Sequence, residues 1–217
     1  MSRSPHLRFA MYQPAHHRED RLEIQHDLIE SHPFGLLISS GPEGLLANAL
    51  PFLLQRESGP LGTLQVHMAR ANGQWHDLDG QKVLIVFQGP HAYVSPTFYA
   101  TKRETGKVVP TWNYAMVQAR GVARLHTDPA WLQAQTEALT SRHEANRAPS
   151  WAVSDAPQAY IESQLRGIVG MEIQIETIEG KWKVSQNRPE ADRRGVVEGL
   201  AQDEPAMSQL VRRYGKV

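Results

Sequence analysis

Three short stretches carry side chains whose types and spacing suit binding chemistry. The first is Val66-His67-Met68-Ala69-Arg70-Ala71-Asn72, followed by Gly73 and Trp75. A strand end feeding a loop with one Arg, one Asn and small spacers can cradle an anion. The guanidinium supplies a rigid fork of donors, and the small residues let backbone N–H groups approach. The plainer reading is a surface turn whose arginine is solvated. The second is Thr111-Trp112-Asn113-Tyr114, two aromatics flanking an amide. A flat heteroaromatic ligand needs an apolar face and a few fixed donors at its rim; core aromatics at a strand entry are the alternative. The third is Gly180-Lys181-Trp182-Lys183-Val184-Ser185-Gln186-Asn187-Arg188. Alternation puts Lys181, Lys183 and Ser185 on one face, suited to a phosphate or a partner subunit, or to lysines that blunt a sheet edge.

Other chemistries lack their residues. Cysteine is absent, which excludes disulfides, thiolate metal sites, iron–sulfur clusters and a Cys nucleophile. His16 and His17 are adjacent and point apart on any regular element, and no other His spacing suits a metal, so none is expected. No Gly-x-Gly-x-x-Gly, P-loop or Gly-x-Ser-x-Gly occurs, which argues against Rossmann, Walker and hydrolase sites.

The elements that must position these stretches are mostly strands. An amphipathic helix is expected from Arg18 to Ser31, then strands at Phe34–Ser39, Leu45–Leu54 and Leu61–Met68 forming a β-meander. Val83–Phe87 reads as a strand buried on both faces. Gly89-Pro90 is expected to turn the chain before an extended His91–Ser95. Val108–His126 is strand-like, with Gly121 as a bulge candidate. Asp128-Pro129 starts a helix toward His143, and a second runs from Pro157 to Arg166. Ile168–Ile178 alternates as a half-buried strand, Glu179-Gly180 is expected to make a hairpin, and Lys181–Ser185 to return. From Pro189 the chain reads as helical twice, broken near Asp203-Glu204-Pro205. Many strands with late helices give a mostly β fold with α (α+β), an antiparallel barrel with peripheral helices.

Length and composition agree with this. The chain has 217 residues, 41 % of them apolar, enough for one core without staples. Lys+Arg and Asp+Glu number 23 each, so no global field draws the chain to nucleic acid or lipid. Met1–His6 leads into no apolar run, so no signal peptide is expected; no window is long enough to span a bilayer, and a soluble cytoplasmic protein is the expectation.

At these clusters the chain resembles the PaiB-type family of FMN-binding negative transcriptional regulators. The resemblance runs through Met11-Tyr12-Gln13-Pro14, Leu50-Pro51-Phe52 and His67–Asn72. It continues with Phe87–Pro96, Val109–Tyr114, Gly167–Gly170 and Trp182–Arg188, in order and over most of the chain. Three positions depart from the family pattern: Gly73 for Pro, Ala49 for His, and His17 for Phe. The resemblance implies a split β-barrel of the pyridoxamine-phosphate-oxidase type over residues 1–188, with a helical tail at 189–217. It implies a homodimer with FMN at the subunit interface. Arg70 and Asn72 would then grip the phosphate, with His67 nearby, and Asn48, Ala49, Leu50 and Pro51 would run along the isoalloxazine edge. Trp112 and Tyr114 would lie close to the ring, and Lys183 and Gln186 complete the expected cofactor contacts. The alternatives are a flavin-dependent oxidoreductase using a nicotinamide donor, and a haem-binding split barrel with His67 or His91 as ligand. DNA enters only through the family's name. Residues 181–217 hold eight Lys/Arg against five Asp/Glu, a balance of eight minus five, or +3, which is modest for a DNA-binding segment.

Overall fold

The structure is a computed structural model, and it describes residues 11–217. The expectation for Met1–His6 lies outside the described residues. Eight strands form one sheet: β1 (Arg18–Glu19), β2 (Phe34–Gly41), β3 (Gly44–Pro51), β4 (Leu53–Gln55), β5 (Thr63–Ala69), β6 (Lys82–Val94), β7 (Thr111–His126) and β8 (Ile168–Lys183). Six α-helices accompany them: α1 (Leu22–Ser31), α2 (Thr101–Thr105), α3 (Pro129–Glu144), α4 (Gln158–Arg166), α5 (Glu190–Leu200) and α6 (Pro205–Gly215). The strand order is β3-β2-β6-β7-β8-β5-β4, with β1 added to β8. The pairings β1–β8, β2–β3, β2–β6, β4–β5 and β5–β8 are antiparallel. The fold is therefore the expected antiparallel sheet of the α+β class, with helices around it.

The chain divides into two compact units. One comprises residues 20–89 and 116–178, the other residues up to 19 with 90–115 and 179–217. In the first, β3 and β4 stand at opposite ends of the strand order, yet only Phe52 separates them in sequence. A sheet whose two edges are joined by one residue has to curl back on itself, which makes a barrel. Phe52, 2 % exposed, packs edge-on to Phe87 at 5.5 Å inside it. Leu37, Leu64, Val66, Ile85 and Val117 are fully buried around them. At Gly121 a Cβ would stand 2.1 Å from the Gln174 carbonyl oxygen. This glycine permits close backbone approach. Asp128 caps α3 as expected, its carboxylate accepting from the Trp131 N–H at 3.0 Å. Leu132 of α3 packs with Ile161 and Leu165 of α4 and with Val153.

In the second unit, α5 and α6 bury Val196, Val197, Leu200, Met207 and Val211. The Ser208 hydroxyl donates to the Val197 carbonyl at 2.7 Å. The helical pair after Pro189 and its break at Glu204-Pro205 are as expected.

Five local expectations need correction. The three early strands make no meander: β3 pairs with β2, whereas β5 pairs with β4 and β8, because the chain crosses from one sheet edge to the other at Phe52. Gly89-Pro90 does not turn the chain; β6 runs through it to Val94. Glu179-Gly180 makes no hairpin, since β8 continues to Lys183 and Gly180 pairs with Glu19 of β1. Neither Gly89 nor Gly180 is among the glycines with positive φ, so both have backbones any residue adopts. Finally, Val83, Ile85 and Phe87 are buried while Leu84 and Val86 are intermediate, so that strand is fully covered on one face only. The first helix also starts later than expected, because Arg18 and Glu19 are taken up by β1.

Candidate functional site

Each unit holds a group of the expected contact residues. In the barrel unit, β5 ends at Ala69 and the chain makes the loop that the small residues suggested. The Asn72 N–H donates to the Ala69 carbonyl at 2.9 Å, and Asn72 Oδ1 accepts from the Gln74 N–H at 3.1 Å, capping a 3-10 turn at Gly73–Asp77. Arg70 is exposed, and its guanidinium spans a seam. Nε donates to the Arg166 carbonyl at 3.1 Å and Nη2 to the Ile168 carbonyl at 3.2 Å, while the group lies 5.7 Å from the Trp75 ring centroid. Arg70 thus ties the loop to the end of α4, where carbonyls lack helical partners. A cavity of about 760 Å³ adjoins it, lined by Arg70, Arg166, Gln133, Gln158, Glu162 and apolar neighbours including Leu165.

Asn48 belongs to the same network. Its Nδ2 donates to Gln74 Oε1 at 2.8 Å, and Gln74 Nε2 donates to Ser39 Oγ at 2.9 Å. Gln74, 5 % exposed, therefore links β2, β3 and the loop. Sequence reasoning missed it, although the Asn-Gly-Gln spacing is that of an Asx turn. Ala49 is exposed, Leu50 is buried and Pro51 is half-buried. His67 Nδ1 pairs with Gln135 Oε1 at 2.7 Å.

In the other unit, Trp112 is 55 % exposed, with its ring centroid 5.9 Å from His91 and 6.2 Å from Tyr93. These three rings form an open aromatic surface. Tyr114 is half-buried, and the Lys181 ammonium sits 5.3 Å from its ring and 5.1 Å from that of Tyr12. Lys181 is itself buried, so of the two readings of this strand the solvent-facing one does not hold for it. Such cation–π contacts replace part of the hydration a lysine loses on burial.

Lys183 donates to the Thr111 hydroxyl and to the Trp112 carbonyl at 2.7 Å. Burial pushes its ammonium below the usual lysine range, and the positive charges of Lys181 and Arg188 push the same way. Gln186 bends back on its own turn, Oε1 accepting from the Val184 N–H at 2.8 Å. Asn113 and Ser185, both buried, bond to each other at 2.9 Å. Ser185 has a φ of 62°, a left-handed conformation uncommon outside glycine. Arg188 stacks 4.7 Å over Tyr99. For His17, 6 % exposed, burial first and then the charges of His16, Lys183 and Lys181 lower the pKa, against a hydrogen bond to Gln186 that raises it. Asn113, Ser185 and Arg188 lie in the stretches read as binding candidates but are not among the expected cofactor contacts, and His17 enters there only as one of an adjacent pair unsuited to a metal and as a departure from the family pattern.

Among the described residues, no group of three or more His, Cys, Asp or Glu is placed to hold a metal, and no helix is long and apolar enough to cross a membrane.

Comparison with known proteins supplies the context. Residues 11–177 match the family model described as "Putative FMN-binding domain". The chain is 37 % identical to the uncharacterized protein AN0679 of Emericella nidulans, covering 88 % of this chain and 90 % of that protein. It is 30 % identical to the protease synthase and sporulation protein PAI 2 of Bacillus subtilis, covering 89 % and 91 %. Among solved structures, the FAD and heme binding protein from Mycobacterium smegmatis superposes with a TM-score of 0.57 at 14 % identity, over 76 % of this chain and 73 % of that one. The flavocytochrome Anf3 from Azotobacter vinelandii gives 0.57 at 13 % identity, over 76 % and 68 %. At such identities the likeness is one of fold.

Proposed function

The chain belongs to the FMN-binding domain family that its residues 11–177 match, and from that premise we propose that it is an FMN-binding split-barrel protein acting as a homodimer. The observation that carries the reading is the family match together with a donor set suited to the ligand's two ends. FMN joins a flat ring system to a phosphate. The open surface of His91, Tyr93 and Trp112 suits the ring, and Lys183 with the Gln186 turn suits the charged end. In the barrel unit, Asn48 to Pro51 offer a strand edge for the ring's carbonyls. Arg70 lines a cavity of flavin-compatible size, with Asn72 two residues further along the same loop and His67 on the strand that leads to it. Tyr114 and Lys181 hold the aromatic stretch in place. FMN would supply one- and two-electron redox chemistry; the chain would bind, orient and shield it.

The dimer has support of its own. One face of the β2–β3 hairpin alternates Phe34, Leu36 and Ile38 with Leu45, Ala47, Ala49 and Pro51, with Ser40 opposite Leu45 its one polar member. Phe34 is 68 % and Leu45 79 % exposed. A continuous apolar sheet face in water favours a partner surface, and a second copy offers the same face by two-fold symmetry. A regulatory role follows the family's name alone. The α5–α6 pair buries its apolar faces, and Arg194 pairs with Glu190 at 2.7 Å within its own helix, which suits a packed appendage as well as a DNA-reading one.

The test is optical. Purified protein titrated with FMN should quench flavin fluorescence at one equivalent per chain and show a flavin envelope. A chain that leaves FMN fluorescence unchanged, or that shows an intense Soret band on adding haem, overturns the reading.

A further inference from the structure

The unit that carries β1, α5 and α6 contains a small cavity of about 120 Å³, lined by His17, Thr111, Asn113, Lys183, Ser185, Asn187 and Arg188. Its lining holds two basic side chains, Lys183 and Arg188, and no carboxylate. A third cation, Lys181, lies close enough to depress both Lys183 and His17. Among the described residues neither Lys183 nor Arg188 forms an ion pair with an acidic residue. Nearby carboxylates are used elsewhere: Glu19 accepts from the Tyr214 hydroxyl at 2.5 Å, and Asp192 from the Thr101 N–H at 2.9 Å.

The remaining wall is polar and fixed. Asn113, 1 % exposed, and Ser185, 4 % exposed, hold each other in place, and Thr111 takes the Lys183 ammonium. The decisive atom is Nδ1 of His17, on a side chain 6 % exposed, which has no hydrogen-bond partner. A buried ring nitrogen without a partner is costly, and so is a group of like charges withdrawn from water. A water molecule would answer the first but not the second. An anion answers both, because it accepts from the imidazole while neutralising the ammonium and the guanidinium.

We propose that this cavity is a binding site for a tetrahedral oxyanion, the phosphate of a phosphate monoester, held by Lys183, Arg188 and His17. Its volume lies well below the ~300 Å³ at which pockets for drug-sized ligands begin. It therefore takes the charged group and leaves the rest of the ligand outside. The phosphate has two chemical sources, that of FMN itself or that of a separate phosphorylated ligand. The first rests on the flavin reading above; the second does not.

The experiment uses the full chain and inorganic phosphate as probe, followed by calorimetry and by the ring resonances of His17, assigned with His17→Gln. Phosphate should bind one to one and move the His17 signals. Asn187→Asp places a carboxylate at the cavity on an exposed residue, so folding is not at stake. It should weaken phosphate tenfold or more, and Lys183→Met should do the same. FMN then separates the sources. Displacement of phosphate by FMN but not by riboflavin assigns the cavity to the flavin's phosphate. FMN binding beside retained phosphate assigns it to another phosphorylated ligand. A chain that binds phosphate and no flavin keeps this site and loses the flavin reading. The proposal is overturned if phosphate fails to saturate the wild-type chain at millimolar concentration, or if Asn187→Asp binds it as tightly as wild type.

Discussion

The apolar face of the β2–β3 hairpin gives the most direct test of the dimer. Phe34, Leu36 and Leu45 are 68 %, 38 % and 79 % exposed. Together they leave in water the equivalent of roughly two whole side chains, worth on the order of 3–6 kcal/mol per copy once covered. Two-fold symmetry counts that twice, giving about 6–12 kcal/mol, comparable to the ~4–15 kcal/mol that association costs in lost freedom. Each large side chain on the face therefore matters. Leu45 stands opposite Ser40 in the hairpin register, one residue beyond the turn glycine Gly44 at φ +114°. Its exposure means that replacing it does not disturb the core. Leu45→Asp should remove about 2–4 kcal/mol from the dimer, counting both copies, before the cost of burying two carboxylates. That is roughly a hundredfold rise in the dissociation constant or more. Sedimentation velocity over a dilution series from about 100 to 0.1 micromolar, an order-of-magnitude window for such a change, would measure it. Thermal melts would confirm that the protomer is intact. A dissociation constant within threefold of wild type would refute the assignment of this face, and so would a wild-type chain that is monomeric throughout.

Two further outcomes follow from the geometry. Arg70→Ala should weaken FMN about tenfold or more if its guanidinium helps hold the phosphate, and unchanged affinity by isothermal titration would leave Arg70 with its seam to Arg166 and Ile168 alone. Glu30, hydrogen-bonded to Arg56 at 2.6 Å and paired with Arg142 at 3.1 Å, has its carboxyl lowered from 4.5 to about 2, first by the Arg56 bond. Its contribution is thus fully present above about pH 4.5 and fades as the pH falls toward 2. That drop corresponds to roughly 3 kcal/mol at most, and partial exposure of the three side chains brings the expected value to about 1–2 kcal/mol. Urea unfolding of wild type and Glu30→Gln should differ by that amount near neutrality and converge in acid; a pH-independent difference would count against the node.

Much of the fold was legible in short-range pattern. Met171, Ile173 and Ile175 alternate with Glu172, Gln174 and Glu176, and the first three are buried. Asp128-Pro129 starts its helix because an oxygen acceptor and a preset φ satisfy the first turn locally. The candidate loop after β5 is likewise local, since Asn72 and Gln74 are two residues apart. Punctuation was less reliable. Gly89-Pro90 and Glu179-Gly180 look like turns, but a dipeptide only permits a reversal, and here neighbouring strands continue the ladder through each.

Residue order alone carried a barrel of alternating strands, the exclusion of thiol chemistry, and the stretches that hold donors and rings. These depend on residue type and on neighbours a few positions away. What those donors face was left to the three-dimensional fold. It turned Arg70 onto two carbonyls, sank Lys181 between aromatic rings, and set His17 in one cavity wall with Lys183 and Arg188, more than 160 residues along the chain. Charge crowding depends on distance in space, and no periodicity in a sequence records it.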